Sequence, residues 1–274
     1  MFYNAEIWNV EGDLRMGDSE ENERSGTQSI ERAIALLREI STRGHFGWQM
    51  SDLAARCHLG KSTAHRILAC LVRERLVRQR PGDRHYMPGP MLFELGLSLP
   101  ALGDLQHAAQ HRLAALAKRT SGAAFLLFRS GDDFVCAARA GSPDLKALTI
   151  FPGARRPLIT SAGGVAILLE LPVPDARVII RRNFATLKES GLSKDRARAI
   201  RGMLERTHSE GFAINPGSIV PGFSAFGLAL KDATGAPFAA VTVAGPSASF
   251  PFGRVPEIRR LLQSAAQDLQ AGIS

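Results

Sequence analysis

The stretch from Ser51 to Met87 constrains this chain more than any other. Ser51-Asp52 reads as the cap of a short helix, Leu53 to Cys57. His58-Leu59-Gly60 reads as a tight turn, and a longer helix is expected from Ser62 to Arg75. Leu76–Gln79 and His85–Met87 are short β-like runs joined through Pro81-Gly82, a turn signal, so they are expected to form a hairpin. Upstream, Ile30, Ala33, Ile34, Leu37 and Ile40 follow helical spacing in a helix closed by Gly44 and Gly47. Helix, tight turn, helix and basic hairpin together are the layout of a winged helix-turn-helix.

Charge marks the same stretch. Residues 43–85 hold nine Arg and Lys against three acids, net +6, and four of the seven histidines of a chain whose formal charge is +8. That density is expected of a surface that meets phosphates. At about 100° per residue, Ala64, Ile67, Leu68 and Leu71 share one face of the third helix. Ser62, Arg66, Ala69 and Arg73 take the opposite face, flanked by Thr63 and His65. A small apolar stripe therefore docks inward, and a small, basic, hydrogen-bonding stripe faces out, a composition suited to the major groove. Arg66 has the fork that matches a guanine edge. Lys61, Ser62 and Thr63 stand at the helix start, where free N–H groups attract phosphate. Arg80, Arg84 and His85 on the hairpin are placed to reach adjacent backbone or minor groove.

The rest divides as follows. Residues 1–26 are acidic and aperiodic and are expected to be disordered; Met16 is a candidate start. Residues 27–88 form the DNA-binding module, and 89–101 a linker helix around Met91–Leu99. Residues 102–274 form a second domain. It begins with an amphipathic helix, Gln106–Thr120, and a hairpin of Ala123–Arg129 with Phe134–Ala140. A third strand is expected over Ala147–Phe151, and helices over Ala162–Glu170, Asp175–Asn183 and Lys194–Glu210. Strands Ser224–Leu230 and Phe238–Ala244 and a last helix, Val255–Gln270, complete an α+β fold.

Several chemistries lack their residues. Gly60-Lys61-Ser62 is not a phosphate loop, because Ala55 stands where that loop needs glycine. Gly163-Gly164 fits a close helix contact rather than a nucleotide loop. There is no GxSxG elbow or HExxH, and no metal or cofactor is expected. No apolar run approaches the roughly 18 residues that span a bilayer. Cys57, Cys70 and Cys136 are widely spaced, which suits a reducing cytoplasm. Cys57 reads as a core residue, Cys70 as helix packing and Cys136 as strand interior. Two function classes remain: a ligand-responsive DNA-binding regulator, or a small-molecule sensor or enzyme whose basic module meets another partner such as RNA.

Gln28-Ser29-Ile30-Glu31-Arg32-Ala33-Ile34 resembles the opening of the IclR family of bacterial transcription factors. Leu59 to Leu68 (LGKSTAHRIL) is similar to that family's recognition helix. Arg156-Pro157-Leu158 with Ser161–Ala166, then Ser209–Ala213, Pro221–Phe226 and Val241–Pro246, match in order and spacing. The resemblance implies a winged helix, a linker helix and a GAF-like α/β effector domain. It implies a non-enzymatic regulator, dimeric or tetrameric, whose binding to a double-stranded DNA operator responds to a small organic acid or aromatic. The effector positions it implies are Leu145, Leu148, Arg156, Ala162, Gly163, Asn215, Phe223, Ala225, Thr242 and Ala244. Arg155 or Arg156 with Asn215 is expected to hold a carboxylate, with Phe223 and Phe226 against an apolar body.

Overall fold

The computed structural model describes residues 27–43, 46–141 and 150–271. The acidic N-terminal stretch, Gly44, Leu145, Leu148 and most of the strand expected at Ala147–Phe151 lie outside them; Ile150 and Phe151 themselves are not in a strand. Among the described residues the chain forms two compact units, the first comprising residues up to Gly103 together with Gly153–Arg155, the second Asp104–Pro152 and the residues from Arg156 onward.

In the first unit, α1 (Gln28–Ser41), α2 (Met50–Arg56) and α3 (Lys61–Arg73) surround Leu36, Ile40, Trp48, Leu53, Leu68 and Leu71. Strands β1 (Val77–Gln79) and β2 (Tyr86–Pro88) pair antiparallel, and Trp48 bridges to Tyr86 as a third short edge. Val77 and Tyr86 carry the hairpin into the same core. Helix α2 starts earlier than the Ser51-Asp52 cap implies: Gln49 is its N-cap, no side chain caps it, and Ser51 Oγ turns to Asp52. A short helix, α4 (Pro90–Gly96), follows the hairpin, shorter than the expected linker and capped at Leu97. It is tied to the module by the Met91 N–H donating to Arg75 O and by the Arg75–Glu94 ion pair.

The second unit is a six-stranded sheet in the order β5-β4-β3-β8-β7-β6. Its strands are β3 (Ala123–Ser130), β4 (Asp133–Gly141), β5 (Arg155–Pro157), β6 (Ala213–Val220), β7 (Phe223–Lys231) and β8 (Pro237–Pro246). The β5 and β6 strands are absent from the sequence reading. Two-residue alternation splits the side chains. Leu126, Phe226, Val241 and Val243 face α5 (Pro100–Thr120) and α9 (Val255–Ala271), whose Leu113, Ile258 and Leu262 are fully buried there. The other face is covered by α6 (Ala162–Leu169), with α7 (Val173–Glu189) and α8 (Lys194–Glu210) beyond it. Phe226 therefore belongs to the α5–α9 core, stacked on Phe212 and with Phe250 tilted against it, and not to the effector face.

Helix α6 sits unusually close to the sheet. A Cβ on Gly227 would come within 2.8 Å of the Ala162 backbone and of Gly163 Cα, and one on Gly163 within 2.2 Å of Thr242 Oγ1. Both positions need glycine for space. Cys136 is buried, and burial pushes its thiol up to about 12. Cys70 is exposed on α3 rather than packed, with Arg73 Nη2 3.4 Å from its sulfur.

Candidate nucleic-acid interface and effector cavity

Helix α3 is positioned by its apolar stripe. Ala64 and Leu68 are fully buried and Leu71 nearly so, and Ile67 is half-buried. The turn before it is held by Leu59 N–H donating to Ala54 O at 2.8 Å, with His58 in the left-handed region at φ 51°. Gly60 precedes the helix in extended conformation, and a Cβ built on it would meet nothing within 4 Å, so that side of the first turn is open to an approaching group. Lys61, Ser62, His65, Arg66 and Arg73 are all exposed, and Thr63 is half-buried. The face identified from spacing is thus one continuous outward face in the fold. Arg73 shares it but lies against Glu74 at 3.2 Å, which lowers its net charge.

The hairpin treats its two arginines differently. Arg80 grips Asp83 with Nε at 2.9 Å and Nη2 at 2.6 Å, and donates also to Phe46 O at 3.0 Å. It is a brace of the loop. The paired guanidinium holds the Asp83 carboxyl well below the usual carboxylate range, helped by the His85 N–H. Arg84, exposed at φ 57°, has its carbonyl fixed by Gln79 Nε2 at 3.0 Å. Arg78, on β1, is also exposed and was not picked out by spacing.

In the second unit, a cavity of about 60 Å³ lies between the N-terminal end of α6 and the sheet. Of the expected effector residues, Ala162, Asn215, Phe223, Ala225, Thr242 and Ala244 line it. Gly163 lies against Thr242 as the close contact that lets α6 reach the sheet. Phe125, Leu127, Ile150, Thr160, Ser161, Ile219, Val220 and Ser224 complete the described wall and were not identified from the sequence. The signal for Phe125 and Leu127 was present in the alternation along β3, which puts them on one face with Thr242.

Two polar groups stand out. Thr242 is 4% exposed, and among the described residues its hydroxyl finds no hydrogen-bond partner. Ser161 caps α6, its Oγ accepting from Gly164 N–H at 3.0 Å. That leaves the first N–H groups of the helix, at Ala162 and Gly163, without intrahelical acceptors at the positive end of its dipole. Asn215 is engaged otherwise than expected: its Oδ1 accepts from the Gly217, Ser218 and Ile219 N–H groups and from Ser218 Oγ, shaping the bulge of β6. Arg156 is not among the lining residues. Burial, and then the like charge of Arg196 on α8, push its guanidinium down. The Asn215 Oδ1 that was expected to work with Arg155 or Arg156 is thus taken up by its own loop.

Comparison with known proteins agrees with both halves. Residues 29–81 match the IclR helix-turn-helix domain, and residues 101–271 the bacterial transcriptional regulator IclR C-terminal domain. The glycerol operon regulatory protein of Streptomyces griseus is 30% identical over 80% of this chain and 85% of its own length. The transcriptional repressor AllR of Salmonella typhi is 24% identical over 94% of each. Among solved structures, an IclR transcriptional regulator from Silicibacter sp. TM1040 superposes with a TM-score of 0.72 at 19% identity, covering 89% of this chain and 96% of that one. An IclR homologue from Microbacterium hydrocarbonoxydans, complexed with 4-hydroxybenzoate, gives 0.67 at 18% identity over 89% and 98%. With both domains matched in order across residues 29–271, the chain belongs to the IclR family of bacterial transcriptional regulators.

Proposed function

We propose that the chain is a ligand-responsive regulator without enzymatic activity. In this reading Lys61, Ser62, Thr63, His65 and Arg66 of α3 meet operator DNA, and Arg78 and Arg84 of the hairpin meet adjacent phosphates. A small organic carboxylate or aromatic occupies the α6 cavity. The observation that carries the effector half is the buried Thr242 hydroxyl, without a protein partner, facing a cavity at a helix N-terminus. A buried polar group left unpaired costs about 1–3 kcal/mol, and a ligand oxygen supplies the missing partner. The ligand of the Microbacterium homologue, an aromatic carboxylate, supports that class.

The active species in this reading is a dimer acting in the cytoplasm. Ile30 and Ile34 on α1, and Phe93, Leu95 and Leu97 around α4, are exposed apolar side chains on the DNA-binding unit. Clusters of this kind mark association surfaces. A two-fold dimer reads half-sites separated by whole helical turns.

The test is anisotropy with DNA from upstream of the chain's own gene, against scrambled competitor, at two salt concentrations. Competitor-resistant binding with a log–log salt slope of several units is expected. A slope near zero refutes the DNA reading. Titration of the bound complex with organic acids then tests the effector reading.

A further inference from the structure

The cations of the DNA-binding unit are not all answered by its own acids. Arg56, Arg75 and Arg80 are matched by Glu39, Glu94 and Asp83, and Arg73 lies against Glu74. Lys61, Arg66, Arg78 and Arg84 are exposed and make no ion pair among the described residues. These four lie on α3 and the hairpin, the elements that meet DNA in the reading above. The start of α3 adds to them. No side chain caps this 13-residue helix, so its first N–H groups point outward at the positive end of its dipole. A face of this kind attracts carboxylates and phosphates alike.

The chain carries an acidic segment next to this unit. Residues 1–26 hold seven acids and two bases. Four of those acids, Asp18, Glu20, Glu21 and Glu23, fall within six residues. They shortly precede Thr27, the N-cap of α1. Asp18 is nine residues from Thr27, which allows an extended reach of about 30 Å. A compact unit of about 75 residues has a diameter of about that size. Asp18–Glu23 is therefore long enough to reach the α3 face from the start of α1. A partner tethered within such reach acts at an effective concentration in the millimolar range.

We propose that Asp18–Glu23 docks on the start of α3 and the hairpin in the DNA-free protein, against Lys61, Arg66, Arg78 and Arg84, and that DNA binds by displacing it. The inference rests on the DNA reading above. The segment is then an internal competitor for the DNA-reading face. It acts on the free protein, so it weakens binding to operator and to scrambled DNA by the same factor. Four exposed ion pairs set that factor at about three- to thirtyfold at low salt. Screening shrinks it as salt rises.

The experiment uses the full-length chain and two variants. D18N/E20Q/E21Q/E23Q removes the four charges of the segment. D175N/E189Q/E205Q/E210Q removes four exposed charges of the effector unit and controls for net charge. In anisotropy at low salt the first variant is expected to bind operator and scrambled DNA about three- to thirtyfold more tightly than wild type, with the gap closing at higher salt. The control is expected to stay close to wild type. A second readout needs no DNA affinity. Lys61 is the one lysine before Lys118, and a carbodiimide joins a carboxylate to an amine only where the two touch. Peptides linking Lys61 to residues 18–23 are expected in the DNA-free protein and are expected to disappear when DNA is bound. Equal tightening in both variants, or no Lys61 link in the free protein, overturns the docking and leaves the DNA reading standing. Failure of wild type and both variants to bind any DNA refutes that reading and the inference with it.

Discussion

Thr242→Val separates stability from response at one atom. The hydroxyl it removes is buried and unpaired in the protein. Leaving such a group unsatisfied costs about 1–3 kcal/mol, and replacing it by an apolar group of the same shape recovers part of that. The recovery is incomplete because the site is crowded: a Cβ on Gly163 would lie 2.2 Å from Oγ1, so the bulkier valine methyl presses on α6. Repacking of that kind costs up to about 1.5 kcal/mol. Taking about 2 kcal/mol recovered against about 1 kcal/mol of repacking, a net gain of about 1 kcal/mol in the effector unit follows, or roughly 2–4 °C in its melting transition for a domain of this size. The same substitution is expected to abolish the effector's influence on DNA binding while leaving ligand-free DNA affinity unchanged. Thr242→Ser keeps the hydroxyl and is expected to keep the response, losing about 0.8 kcal/mol for the missing methyl. Calorimetry of both variants, with DNA anisotropy in the presence of benzoate, reads all of this. A valine variant that melts below wild type, or that still responds in full, refutes the argument that Thr242 stores unmet hydrogen-bonding capacity for a ligand.

Other substitutions test the remaining geometry. Gly227→Ala sets a methyl against α6 backbone, which cannot rotate away, so it is expected to destabilise the effector unit by about 1–3 kcal/mol in chemical denaturation. Arg66→Ala is expected to weaken operator binding by about 1–3 kcal/mol and relax preference at one base pair, whereas Arg80→Ala loosens the hairpin loop and shows first as faster amide exchange at Asp83–His85. Asp83 is depressed in the fold, so its contribution is fully present above its unfolded pKa of about 4 and is lost as pH falls through the lower folded value. With His85 Nδ1 2.9 Å from Asp83 Oδ2, the melting difference between wild type and Asp83→Asn is expected to persist from pH 8 to 5 and to shrink as pH falls below about 4. Phe93→Lys places a charge in the exposed apolar cluster on α4 and is expected to shift the protein toward monomer in sedimentation.

The DNA-binding unit was legible because its determinants are local. The 3.6-residue stripe on α3 coincides with the buried set Ala64, Leu68 and Leu71, and Pro81-Gly82 marks the hairpin turn correctly. Helix α8 was expected over Lys194–Glu210 and forms over those residues, ended by Gly211 in left-handed conformation. The failures share a cause in long-range pairing. Strand β6 contains Asn215-Pro216-Gly217, which reads as a turn, and it becomes a strand only because β7 pairs with both ends across a bulge. Arg155–Pro157 is too short to show a period in the sequence, and the edge of β4 makes it a strand. Phe226 was misplaced because aromatic content was counted without following alternation, which turns Phe226 away from the face that Phe223 and Ala225 share. Spacing places Arg80 on the hairpin to reach DNA but does not reveal that Asp83 occupies its fork.

The size of the α6 cavity sets a condition on any effector. About 60 Å³ is roughly the liquid share of two water molecules, far below the ~300–1,000 Å³ of a site for a drug-sized ligand. A ligand of a few atoms that entered without displacing the wall would signal only to the extent that an alternative conformation bound it less well, because only differential affinity shifts an equilibrium. A benzoate-sized ligand cannot enter without moving Phe125, Ile150 or Phe223, because the floor is fixed by the Gly163–Thr242 and Gly227–α6 contacts. The displacement runs into the side of the wall that Arg139 holds through Phe125 and Ile150. Response is therefore expected to increase with ligand size up to the point where the wall no longer opens, while affinity alone does not. A homologous series of carboxylates in which DNA release followed affinity and was indifferent to size would show that the wall does not carry the signal.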